Sequence, residues 1–170
     1  MPSMKILVFS DSHGSERGIR RAISLHADAQ GVFFLGDGLA SASLLPELSS
    51  ERFLIGVLGN CDSFFGLPSP SGASEQELIT LFGYRLLLVH GHREGVKGGL
   101  DTLIAKARRL DADAAFFGHT HVPYHAYLSD GEKPLYLFNP GSVSRPDRGN
   151  PSYGVLLLTE KGILLSHGEL

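Results

Sequence analysis

Apolar positions along this chain form short runs that alternate with helical stripes. Lys5 to Phe9 reads as a buried strand and breaks into Ser10-Asp11-Ser12-His13-Gly14. Ile19, Ala22, Ile23 and His26 then fall at i, i+3, i+4 and i+7, one face of a helix. Val32 to Leu35 predicts a second strand ending in Gly36-Asp37-Gly38, and a weaker helix follows through Leu44, Leu45 and Leu48. Phe53 to Leu58 predicts a third strand, ending in Gly59-Asn60-Cys61-Asp62. Strands alternating with helices imply parallel crossovers. In such sheets ligands bind beyond the carboxyl ends of the strands.

Ser63 to Ser74 collects Gly, Pro and Ser around Phe64 and Phe65 and reads as a long loop. Leu78 to Phe82 and Arg85 to Val89 predict a hairpin about Gly83-Tyr84 that runs into His90-Gly91-His92. Leu100, Leu103, Ile104 and Ala107 mark another helix face, and Ala114 to Phe117 a short strand ending in Gly118-His119-Thr120-His121. The pattern then turns antiparallel. Tyr124 to Leu128, an Asp130-Gly131 turn, Leu135 to Phe138, Val155 to Leu158 and Ile163 to Leu165 follow. Two packed sheets with helices outside are expected, in one domain over 1–170, with no internal repeat or linker.

Composition narrows the function class without naming it. The chain has 170 residues, 42% of them hydrophobic and 19% charged, as in an ordinary globular protein. A formal charge of −3 and scattered cations disfavour nucleic acid as the main partner, though a small charged substrate in a pocket is compatible. Lys106, Arg108 and Arg109 cluster near a helix C-terminus, where cations belong. The single cysteine, Cys61, excludes a disulfide within the chain and fits a reducing compartment. No stretch approaches a membrane span, so the expectation is a cytoplasmic protein.

The chemistry lies at the strand ends. Five apolar runs lead into Asp11 and His13, Asp37, Asn60, His90, and His119 with His121. Strand ends at one sheet edge meet in space although they are distant in sequence. Oxygen and nitrogen donors without thiolate suit Mn, Fe, Zn, Ni or Co, with Mg a further candidate, rather than a soft metal. Seven donors exceed what one catalytic ion with an open position needs and suit two ions sharing a carboxylate. Adjacent glycines (Gly14, Gly36, Gly59, Gly91, Gly118) permit sharp turns and close approach. Each motif alone is weak, since a lone Asp-Ser-His or Gly-Asp is usually a polar strand terminus.

The series Asp-x-His, Gly-Asp, Gly-Asn-x-Asp, His and Gly-His-x-His resembles the calcineurin-like metallophosphoesterase superfamily. The short length, Gly59 to Asp62, His90 to His92 and the Asn-Pro-Gly-Ser of Asn139 to Ser142 are similar to its small bacterial and archaeal YfcE-like phosphodiesterase branch. The resemblance covers nearly the whole chain. It implies an α/β fold, a four-layer α/β/β/α sandwich of two mixed sheets flanked by helices. It also implies two divalent ions, manganese first among the candidates. Asp11, His13, Asp37 and His121 would hold one, and Asp37 would bridge to a second held by Asn60, His90 and His119. Such a site hydrolyses a small phosphoester by in-line attack of a hydroxide bridging the ions. Asn60 and Asp37 are then the catalytic candidates, the Asn60 amide facing the phosphoryl group.

Two departures from the family pattern stand out. Many members have histidine after the Gly-Asn pair as general acid; here Cys61 stands, and a buried cysteine is usually an inert small hydrophobe. The second Asp that often follows Gly-Asp by three residues is here Ala40. His92, Cys61 and Phe64 are expected near substrate. His26, His125 and His167 read as packing residues, Asn139 to Ser142 as scaffold, and Arg145 and Arg148 as solvated cations. A binding scaffold like the retromer subunits of the Vps29-like group is the alternative to an enzyme, and homo-oligomerisation is left open.

Overall fold

The computed structural model describes residues 1–49, 52–62, 70 and 72–170. Phe64 and Phe65, expected in the long loop, lie outside the described residues. The first sheet has the order β10-β9-β1-β2-β3 and the second β4-β5-β6-β8-β7. The first is built from β1 (Ser3–Phe9), β2 (Gly31–Phe34), β3 (Phe53–Gly56), β9 (Ser152–Thr159) and β10 (Gly162–Glu169). The second contains β4 (Gln76–Leu81), β5 (Tyr84–Val89), β6 (Ala114–Phe116), β7 (Pro123–Leu128) and β8 (Leu135–Pro140).

The continuous apolar run of β1 arises because both of its faces are buried. Ile6 and Val8 join Phe33, Leu86, Leu88, Phe116 and Phe138 in the core between the sheets. Leu7 and Phe9 point the other way, against Ile19, Ala22 and Ile23 of α1 (Arg17–Leu25). On the far side, Leu103 and Ala107 of α4 (Asp101–Arg109) cover Leu87, Ala115 and Leu137 of the second sheet. Period-two alternation thus feeds two different cores, giving helix, sheet, sheet and helix layers as expected.

Several local expectations are corrected. The single weak helix through Leu44, Leu45 and Leu48 is two, α2 (Leu39–Ser43) and α3 (Pro46–Ser49). Pro46 has no N–H and its ring excludes a continuous helix, so it opens α3 instead. Leu44 is left exposed at the break while Leu45 and Leu48 are buried. The β4–β5 hairpin turns at Phe82-Gly83, one residue earlier than expected, because Leu81 pairs with Tyr84. Both loop residues have positive φ, 53° and 82°, the twist a two-residue hairpin favours. The expected Asp130-Gly131 turn is a six-residue connection, 129–134, tied down by Arg108 to Asp130 and Lys133 to Asp111. The late strands are not purely antiparallel either. β8 pairs with β6 in parallel, and the chain then crosses to the first sheet, where β9 runs antiparallel to β1.

This topology positions the site. β1, β2 and β3 are mutually parallel, as are β5 and β6, so their carboxyl ends open onto one rim of the sandwich. Among the described residues, no helix is long and apolar enough to cross a membrane.

Candidate metal centre

The seven donors expected at strand ends come together at that rim. Near the end of β1, His121 Nε2 lies 3.3 Å from Asp11 Oδ1 and 3.3 Å from His13 Nε2. Beside them, His90 Nε2 lies 3.0 Å from Asn60 Oδ1, 3.2 Å from His119 Nδ1 and 3.4 Å from Asp37 Oδ2. Asp11 Oδ1 is 3.8 Å from the same His90 atom, which links the two groups. Asp37 also falls within one donor cluster with His13 and within another with Asp11 and His90.

Hydrogen bonds at the back of the rings decide what these atoms offer. His90 Nδ1 is 2.6 Å from the Leu35 carbonyl, which can only accept, so the proton sits on Nδ1 and Nε2 presents a lone pair. His121 Nδ1 likewise donates to the Arg145 carbonyl at 2.7 Å. Both Nε2 lone pairs therefore face oxygen and nitrogen lone pairs of their neighbours. While His121 is neutral, the buried Asp11 Oδ1 has no hydrogen-bond partner, an expensive arrangement for a carboxylate. Such converging acceptors attract positive charge, a proton on the imidazoles or a divalent metal ion, and hard-to-borderline donors fit the metal well.

The electrostatics point the same way. Burial opposes charge on His90, yet the Asp37 and Asp11 carboxylates outweigh it and raise its pKa. A hydrogen bond with Asp11 raises that of His121. Burial also works against the Asp37 carboxylate, but His90 and the Cys61 N–H hold it below the usual range. His119 is pushed down to about 4, by burial first and then by His90 and Lys97.

Backbone geometry builds the donor shell at a cost. Asp11, His13, Asp37, His119 and His121 all have φ between 47° and 68°, the left-handed region. A side chain there costs about 1 kcal/mol or more, and such strain gathers at functional sites. The strained loops are interlocked. Asp11 N–H donates to the Gly36 carbonyl, His13 N–H to the Asp37 carbonyl, and Gly118 N–H to the His90 carbonyl. Gly59 and Gly118 do not supply turns with positive φ; they supply room. A β-carbon on Gly59 would collide with the Asp37 carboxylate, and one on Gly118 with the Ser10 hydroxyl.

Two positioning residues, Asp62 and Ser10, were not assigned from sequence. Asp62 is buried, and its carboxylate accepts the N–H groups of Asp37, Gly38, Leu39 and Gly59 at 2.6–3.2 Å. Its place in Gly-Asn-x-Asp was the available signal. It fixes the Asp37 loop directly, whereas Ala40, where a second Asp was sought, is buried in α2. Ser10 Oγ donates to Asp11 Oδ2 at 2.6 Å, and the His119 N–H shares that oxygen at 3.0 Å. Asn139 Nδ2 donates to the Gly118 carbonyl and the Thr120 hydroxyl, while Ser142 Oγ donates to the Asp11 carbonyl. The Asn139 to Ser142 segment thus braces the two ligand loops, as the scaffold reading expects.

The remaining candidates sort by distance. Cys61 is beside the cluster: its N–H donates to Asp37 Oδ1 at 2.8 Å, and Asn60 Nδ2 faces its sulfur at 3.4 Å. Burial and the Asp37 charge push the thiol up to about 11, so it keeps its proton. The His92 ring centre is 5.4 Å from that of His90 and 6.2 Å from that of His119, and its Nε2 approaches Glu75 at 3.7 Å. His26 is bound to the Tyr153 hydroxyl, and His167 stacks on Phe138, both away from the centre. Phe64 lies outside the described residues.

A rim of parallel strand ends that gathers imidazoles and carboxylates with the spacing of metal donors is the arrangement of a candidate metal centre in a hydrolase. Residues 4–162 match the calcineurin-like phosphoesterase superfamily domain, and the chain belongs to that family. It is 36% identical to phosphodiesterase YfcE of Escherichia coli K12, over 90% of this chain and 87% of that protein. The YfcE structure superposes with a TM-score of 0.65 at 28% identity, covering 98% of this chain and 99% of that one. An archaeal phosphodiesterase shares the fold with a TM-score of 0.74 at 23% identity, over 98% and 100% of the two chains. So does Vps29 of Chaetomium thermophilum, with a TM-score of 0.72 at 20% identity over 96% and 86%.

Proposed function

We propose that this chain is a phosphodiesterase that hydrolyses a small-molecule phosphoester with two divalent ions, manganese first among them, in one domain over 1–170. Asp11, His13 and His121 would hold one ion, Asn60, His90 and His119 the other, with Asp37 contributing to both. The carrying observation is the convergence of lone pairs: His90 and His121 turn Nε2 into the cluster, where Asp11 Oδ1 is buried without a partner. When bound, the ions supply an activated water nucleophile and neutralise charge on the phosphoryl oxygens.

The protein's own part is placement. Asp62, Ser10 and Asn139 lock the loops, so little reorganisation remains at the moment of reaction. Asn60 turns its carbonyl oxygen toward His90. Its amide, with one hydrogen toward Cys61, keeps a second to donate to a phosphoryl oxygen. The Cys61 thiol is a weak acid where many relatives have histidine. Esters with good leaving groups are therefore the expected substrates. The scaffold alternative rests on fold likeness at 18–22% identity, and since a Vps29 of Entamoeba histolytica is solved in complex with zinc, the 36% identity to phosphodiesterase YfcE rather than the cluster alone favours the enzyme.

The test is a metal and substrate panel on the wild type beside Asp37→Ala. Manganese-dependent hydrolysis of an aryl phosphodiester should fall by more than about a hundredfold, since groups that merely support metal ligands already cost ten- to a hundredfold. Equal activity in both proteins would sink the two-metal reading. Absence of turnover in the wild type, with stoichiometric capture of a protein partner, would favour the scaffold.

A further inference from the structure

The loop after Asn139 to Ser142 carries a cation that the centre itself does not use. Arg145 is pinned at its backbone: its N–H donates to Ser142 Oγ at 2.7 Å, and its carbonyl accepts from His121 Nδ1 at 2.7 Å. The two nitrogens of an imidazole lie on opposite sides of the ring. His121 Nε2 faces the donors, so the Arg145 backbone stands one ring's width outside them, on the rim. The residue is exposed, and its guanidinium has no ion pair or hydrogen bond among the described residues. Its nearest acid in sequence, Asp147, forms no ion pair with it among the described residues, and the Asp147 N–H donates to the His121 carbonyl at 3.2 Å.

An arginine whose backbone is anchored beside the donors, with its guanidinium unpaired among the described residues, has the reach to meet what projects from a phosphate held there. We infer that Arg145 is a specificity residue that binds a second phosphate of the substrate, one separate from the phosphodiester being cleaved. The inference rests on the phosphodiesterase reading. Backbone anchoring pre-pays the placement of the side chain, and a planar guanidinium suits a phosphate bidentately.

Thymidine 5′-(p-nitrophenyl phosphate) and its 3′-phosphorylated counterpart form a matched pair that differs only in the second phosphate. In saturating manganese, wild-type kcat/KM should favour the 3′-phosphorylated ester by about tenfold, the size of one charge-assisted contact at an exposed site. Arg145→Ala should bring that ratio close to unity, chiefly through KM, and Arg145→Lys should restore part of it. Alanine keeps the carbonyl that holds His121, so a purely structural effect would lower both esters alike and leave the ratio intact. That outcome overturns the proposal. Calorimetric titration of the manganese-loaded protein with thymidine 3′,5′-bisphosphate and thymidine 5′-monophosphate reads the same preference without turnover. A preference lost in Arg145→Ala supports it, and equal wild-type affinity for the two nucleotides overturns it. If the wild type hydrolyses neither ester, the phosphodiesterase reading fails while the titration still decides the role of Arg145.

Discussion

Removing the Asp62 carboxylate tests how the centre is held, because this group touches none of the metal donors with its own ligand-seeking atoms. Oδ1 accepts from Gly38 and Leu39 at 2.7 and 3.2 Å, and Oδ2 from Asp37 and Gly59 at 3.0 and 2.6 Å. Asp62→Ala leaves four buried N–H groups without an acceptor. At about 1–3 kcal/mol for each orphaned donor, the upper bound is about 12 kcal/mol, which exceeds the stability of many domains. Water can enter the vacated space and satisfy some of them, so the expected loss is about 3–5 kcal/mol, at the high end for single substitutions. Asp62→Asn keeps one oxygen for one pair of donors and turns an NH2 group toward the other pair. Its cost should be roughly half that of alanine. Urea denaturation of the metal-free proteins reads the stability difference, and manganese titration reads the consequence for the site. Affinity should drop about ten- to a hundredfold as the Asp37 loop relaxes. If Asp62→Ala stayed within about 1 kcal/mol of wild type and bound manganese equally well, the claim that this carboxylate positions Asp37 would be wrong.

Metal binding should also depend on pH with a definite sign. In the metal-free fold, nearby carboxylates raise the pKa of His90 against the opposing effect of burial, and a hydrogen bond with Asp11 raises that of His121. Protonation of these two groups stabilises the metal-free fold fully below their unfolded pKa of about 6.5 and is lost as pH rises through the folded values. The ion needs them neutral, so the rise in melting temperature that manganese confers should grow with pH over that interval; a constant rise from about pH 5.5 to 8 would refute this. Cys61→Ser replaces a protonated thiol with a neutral hydroxyl. It should change kcat on an aryl phosphodiester by less than about threefold, whereas a loss of about tenfold would mean that the thiol takes part in the chemistry.

Much of the site was legible before the fold was known. Asp11, His13, Asp37, Asn60, His90, His119 and His121 each follow an apolar run, and strand ends are where α/β sheets place ligands. The elements carrying them were legible too, since β1 announces itself as a short continuous apolar run and α1 by its helical periodicity. What escaped was set by contacts between segments. Pro46 split a helix that leucine spacing alone would have joined, and the crossing from β8 to β9 follows from which sheet each strand can enter. Asp62 looked like a motif residue, and only its four N–H partners reveal a brace.

The chain by itself determined the donor chemistry, because residue type and period-two burial are local properties that survive without a partner. It also determined that the donors stand at strand ends. Tertiary structure decided which atoms meet: His13 and His121, 108 residues apart, bring their Nε2 atoms to 3.3 Å through two separate sheets packed on one core. It decided the tautomers as well, because the Leu35 and Arg145 carbonyls that fix them lie 55 and 24 residues away from their histidines. Backbone acceptors carry no signature in sequence, since every residue has one and only the fold aims it.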